Sequence, residues 1–144
     1  MDRRELIRNR LCEHLLEDRG CAVVCPPKEV VLQTPITGHL FGWLPPMPID
    51  EDNNLLLLVA FCPELLAEIT AGLDDNDLDF YLSAIEELWD CYLEEFEAGS
   101  TLSPDDMRVK VESDFFDKEP EILAFMSQVE MQALSDGIVP TRIP

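Results

Sequence analysis

Hydrophobic and polar residues recur along this chain with two different periods, and the changes of period divide it into elements. From Asp2 to Arg19, Leu6, Ile7, Leu11, Leu15 and Leu16 return at helical spacing, and Gly20 is placed to stop the helix. The short runs Cys21–Cys25 and Glu29–Gln33 favour β structure, and Pro26-Pro27 between them suits a hairpin or a sheet edge. The proline-rich stretch from Thr34 to Asp50 contains His39, Phe41 and Trp43 and reads as a strand flanked by loops or as an irregular segment over the core. Its aromatic residues suit core packing better than an exposed partner anchor.

Leu55 to Phe61 is a continuous apolar run, which predicts a strand buried on both faces. Pro63 is tolerated in the first turn of a helix, and Leu65, Leu66 and Ile69 then show helical spacing up to Leu73. The capping cluster Asp74-Asp75-Asn76-Asp77 introduces the strongest periodic segment, over residues 77–97. There Leu78, Tyr81, Leu82, Ile85, Leu88, Trp89, Tyr92, Leu93 and Phe96 occupy an arc of about 140° at about 100° per residue, which predicts an amphipathic helix ending near Ala98-Gly99. Met107 to Glu112 alternates apolar and polar residues and predicts a half-exposed strand. A last helix is expected from Glu119 or Pro120 to Ser135, with Ile122, Phe125, Met126, Val129 and Leu134 inward, before an irregular tail. The pattern describes one α+β domain over residues 1–144, with a small, mostly antiparallel sheet packed against three to four helices.

Charge changes this picture most. The net charge is −20, and it is unevenly spread. Residues 29–107 hold 18 acidic residues and no lysine or arginine, whereas residues 1–28 carry six basic and five acidic residues. On the helical wheel of residues 77–97, Asp79, Glu86, Glu87, Asp90, Glu94 and Glu97 fall within about 100° of one another, with Ser83 in the same stripe. No cation lies three or four residues away to neutralise them, and like charges at that spacing cost a few tenths of a kcal/mol each. Asp74, Asp75, Asp77, Glu64 and Glu68 extend the acidity in sequence. The basic cluster Arg3, Arg4, Arg8 and Arg10 is read as a solvated helix face, or as a partner for that acidity within one chain or between two copies.

Candidate chemistry is sparse. Cys12, His14, Cys21 and Cys25 have the right types for zinc but no recognised spacing, and an odd count of five cysteines favours reduced thiols. Asp75, Asp77, Asp79 and Glu86 match positions of a calcium loop, yet Phe80 stands where the loop needs glycine. No phosphate-binding or dinucleotide fingerprint is present; Gly38-His39-Leu40-Phe41-Gly42 is too isolated. An enzyme would need His14 or His39, or a cysteine, to meet a carboxylate in a cleft. The sequence contains no apolar run long enough to span a bilayer, and Asp2-Arg3-Arg4-Glu5 is followed by no apolar signal core, so the expected location is cytoplasmic.

The expectation is therefore a non-catalytic protein without cofactor that inhibits or caps a basic protein. The partner is a nucleic-acid-binding enzyme, with the acids standing in for phosphates as in anti-restriction or anti-CRISPR inhibitors, or a basic nuclease toxin. A chaperone of a basic secreted effector is the further alternative, with a homodimer compatible; a small enzyme and an acidic face kept only for solubility also stay open. Direct binding of nucleic acid or a membrane is not expected, because the field repels phosphate. If the whole stripe is the working surface, lysine at Glu86, Asp90 and Glu94 should abolish binding and leave the fold intact, measured by capture at two salt concentrations together with circular dichroism.

Overall fold

A computed structural model describes residues 2–33, 42–44, 46–51 and 54–138. Helix α1 runs from Arg3 to Cys12 and continues into a π-helical turn, Glu13–Asp18. Asp2 caps α1 by accepting the Glu5 amide at 2.8 Å. Gly20, at φ 67°, ends the unit in the left-handed region that glycine enters without steric cost. Strand β1 (Ala22–Val24), helix α2 (Lys28–Gln33), strand β2 (Met47–Glu51) and strand β3 (Asn54–Ala60) follow. Helices α3 (Pro63–Ile69), α4 (Asp75–Glu97), α5 (Pro104–Lys118) and α6 (Pro120–Ser135) complete the described chain.

The sheet is mixed, with β3 in the middle. Strand β1 pairs with it in parallel (Ala22 opposite Leu58, Val24 opposite Ala60), and β2 pairs antiparallel (Met47 opposite Leu58, Glu51 opposite Asn54). None of the described side chains from Leu56 to Phe61 is exposed, as expected for a central strand covered on both faces. The architecture is α+β, with more helix than the sequence pattern suggested.

Two predicted strands are helices. Glu29–Gln33 belongs to α2, whose first turn is set by Pro27: its carbonyl accepts the amides of Val30 and Val31 at 3.0 and 3.3 Å. Residues 107–112 lie in α5, where Met107, Val111 and Phe115 are buried at four-residue spacing and the intervening Val109 is exposed. The competing signal was Ser103-Pro104-Asp105-Asp106. The Ser103 hydroxyl accepts the Asp106 amide at 3.2 Å, Pro104 occupies the first turn, and acids favour the helix N-terminus. In α6, Ala133 is buried in place of the predicted Leu134, which is exposed.

One hydrophobic core collects around α4. Of the nine apolar residues predicted inward, Phe96 is half-buried and the other eight are buried. Trp89 meets Trp43 edge-on at 5.7 Å between ring centroids and Phe61 at 5.8 Å, so Trp43 packs into the core as expected. His39 and Phe41 lie outside the described residues. Gly42 lets the chain pass against α3. Its φ is 90°, and a Cβ there would come within 2.7 Å of the Leu66 side chain. Its carbonyl accepts the Cys62 amide at 2.6 Å. No helix among the described residues is long and apolar enough to cross a membrane.

Truncating Trp89 to alanine is expected to cost about 3–5 kcal/mol in urea unfolding, because a fully buried aromatic leaves a cavity between two others. Both tyrosines of the chain, Tyr81 and Tyr92, are buried, and burial raises their phenols well above the ordinary value, helped by the negative charges of Glu130 and Glu112 respectively. Above about pH 10 the unfolded chain releases phenolic protons that the native state retains, so stability falls as pH rises. Phenolate absorbance should therefore appear only in step with the loss of helical circular dichroism, and a tyrosine that titrates in the folded protein would contradict this.

Candidate functional site: the acidic edge of α4

Seen along its axis, α4 carries two acidic rows. At about 100° per residue, Glu86, Asp79, Glu97 and Asp90 lie within about 40°, next to the buried face, and Glu94 and Glu87 lie a further 40–60° or so toward solvent. The inner row is paired by α1 and its π-helical turn. Arg10 donates to Asp79 at 2.5 Å, to the Ser83 hydroxyl at 2.7 Å and to Glu86 at 3.0 Å. His14 Nε2 stands 2.9 Å from Asp90, and its Nδ1 is 3.7 Å from Glu86 and 3.8 Å from Asp18. Arg19 follows, with Nε 3.4 Å from Asp90 and Nη2 3.7 Å from Glu97. Contacts advance in the same direction along both elements, so the two lie side by side and parallel.

The π-helical turn sets this register. On an unbroken α-helix Arg10 and His14 are about 40° apart, but Arg19 lies about 140° beyond His14. Widening to i→i+5 bonds, with the Arg19 amide on the His14 carbonyl at 3.1 Å, turns the five-residue step into about one turn. Arg10, His14 and Arg19 then face α4 together, while Ile7, Leu11 and Leu15 stay in the core. Leu6 and Leu16, expected inward, are exposed.

The sequence-level reading of an uncompensated stripe is therefore corrected for its inner half. No cation lies within α4, but an element more than 60 residues earlier supplies three groups. Ladder and core differ in weight along their length. Glu86 and Arg10 keep only 17% and 27% of their side-chain exposure, whereas Asp79 and Glu97 keep 71% and 64%. Exposed ends contribute about 0–1 kcal/mol, and the charged hydrogen bonds of the half-buried centre about 1.5–3 kcal/mol. Lysine at Glu86 and Asp90 would set cations against Arg10, His14 and Arg19, so that triple substitution is a test of folding and not of binding.

The other predicted positions have varied roles. Asp74 caps α4 by accepting the Asp77 amide at 2.8 Å, and Asp75 and Asp77 lie in its first turn, where the helix dipole favours acids. Glu64 is in the first turn of α3, and Glu68 pairs with Lys28 at 2.8 Å. Glu64, Asp74, Asp75, Asp77, Glu87 and Glu94 are exposed, and none forms an ion pair with another described residue. Arg3, from the basic cluster, bonds the carbonyls of Thr70 and Leu73 and closes the turn between α3 and α4. Cys12 and Cys25 come together, but His14 faces Asp90; no group able to hold a metal occurs among the described residues. Asp75 to Glu86 form three turns of α4, a helix where a calcium site needs a loop.

His14 meets a carboxylate, the contact an enzyme reading calls for. Its second ring nitrogen, however, faces Glu86 and Asp18, where a nucleophile would have to stand. Ser83 is engaged by Arg10.

A double-mutant cycle on Arg10→Ala and Glu86→Ala should give a coupling energy of about 1–2 kcal/mol, from urea unfolding of the four proteins. Glu94→Gln, by contrast, should change stability by less than about 0.5 kcal/mol.

Comparison with protein-family models, with curated proteins and with solved structures finds no match.

Proposed function

We propose that the protein is a non-catalytic binding module that caps or inhibits a basic protein, and that the partner docks on the outer row of α4 and the acids at its start. The observation that carries this reading is the destination of the cations. Arg10, Arg19, Lys28, Arg108 and Lys110 each pair with a carboxylate of the same chain. Internal pairing leaves the net charge of −20 unchanged and leaves Asp75, Asp77, Glu87 and Glu94 facing solvent. Such a field steers a cationic surface into contact and repels phosphate.

Magnitudes favour a diffuse acidic platform over a close copy of nucleic acid. A duplex presents one charge per about 1.7 Å of axis. Glu87 and Glu94 are seven residues apart, about 10 Å along the helix, once the inner row is withdrawn. A toxin, an effector or an enzyme with a basic surface each fits that chemistry.

Capture of partners from native lysate should fall steeply between low and high salt. Lysine at Asp75, Asp77, Glu87 and Glu94 should abolish it while circular dichroism stays unchanged. Full capture by that folded variant, or capture insensitive to salt, would overturn the proposal.

A further inference from the structure

Three of the five cysteines come from separate elements toward one end of the sheet. Cys12 is the last residue of α1, Cys25 follows the last residue of β1, and Cys62 follows β3 just before α3. The reversal at Gly20 returns the chain alongside its own helix, with the Cys21 amide donating to the Leu15 carbonyl at 2.8 Å, and this brings the thiols of Cys12 and Cys25 near enough to influence each other's ionisation. Both are free, Cys25 is exposed and Cys12 is half-buried. Arg8 of α1 is the cation near both sulfurs, and Cys62 is the other ionisable group near Cys25. Cys21 and Cys62 are buried, and Cys91 is on α4.

We propose that Cys12 and Cys25 form a redox clip, closed by a low-molecular-weight disulfide such as oxidised glutathione, that fastens the end of α1 to the end of β1. The exposed Cys25 thiolate attacks one sulfur of the oxidant, forming a mixed disulfide and expelling one glutathione thiolate. Cys12 then attacks the Cys25 sulfur, the mixed disulfide breaks, and the second glutathione leaves. The protein gains one S–S bond and loses two protons and two electrons; the oxidant becomes two thiols. Partial burial raises both thiols above the ordinary range, with Arg8 opposing it, so the thiolate fraction and the closing rate grow as pH rises. The clip closes a short loop spanning the π-helical turn, which carries His14 and precedes Arg19. Oxidation therefore holds the cation-bearing element against α4.

The reduced protein is incubated with oxidised glutathione at about pH 8.5, alkylated, and mapped by mass spectrometry. The expected result is a fall from five free thiols to three, a peptide containing Cys12 linked to one containing Cys25, and a thermal midpoint raised by several degrees. Cys12→Ser should stop at the glutathione adduct on Cys25. Five unreacted thiols, a bridge between another pair, or an unchanged midpoint in the oxidised protein would overturn the proposal; the peptide map of the unsubstituted chain decides even if the variant folds poorly.

Discussion

Carboxylates on the edge of a helix cannot be packed beside a second helix unless that helix brings cations to meet them. Removing charge from water costs several kcal/mol per ion unless partners replace the lost hydration. Helix α4 places Glu86 and Asp90 part-buried beside its apolar face, and the α1 unit meets them with the guanidinium groups of Arg10 and Arg19 and the imidazole of His14. This pairing sets how far α1 slides along α4 and which face it turns inward. Ile7, Leu11 and Leu15 fill the core in that register, and the π-helical turn brings Arg19 round to α4 as well.

Helix α4 is accordingly the element on which the other layers converge. Its apolar face receives Trp43 and Phe61 through Trp89, and α6 through Tyr81 against Phe125, which the exposed Phe80 also meets edge-on. On its far side, Lys110 of α5 reaches Glu95 at 2.8 Å. A helix of 23 residues engaged on three sides leaves only a narrow solvent face. Acids on that face have no structural duty comparable to that of the inner row, which is why the proposed docking surface lies there and at the exposed start of the helix.

The cations follow the same logic. A chain with 30 acidic and ten basic residues can place few cations freely. Arg10 and Arg3 go where burial makes an unpaired carboxylate or carbonyl costly, beside Glu86 and at the turn after α3, whereas Lys110 meets Glu95 at the surface. The charge toward solvent is predominantly negative, with Arg4, Arg8 and Lys118 among the exposed exceptions, and the strength of the field depends on net charge and not on the internal pairs.

The sequence by itself determined the elements whose signals are local and mutually consistent. Asp74 and Gly99 bound a long amphipathic helix, and its inward residues were legible because the 3.6-residue period persists for six turns. The buried central strand was equally plain from its unbroken apolar run. Short segments were not: Glu29–Gln33 and residues 107–112 match a strand period over a few residues, and there the proline and serine start signals outweighed the alternation. Only the tertiary structure decided which acids are free. Asp90 and Glu94 belong to one acidic stripe on a helical wheel, only about 40° apart, yet one is held by His14 and Arg19 and the other faces water. A wheel describes one helix, whereas compensation across space depends on which neighbour packs beside it and in what register.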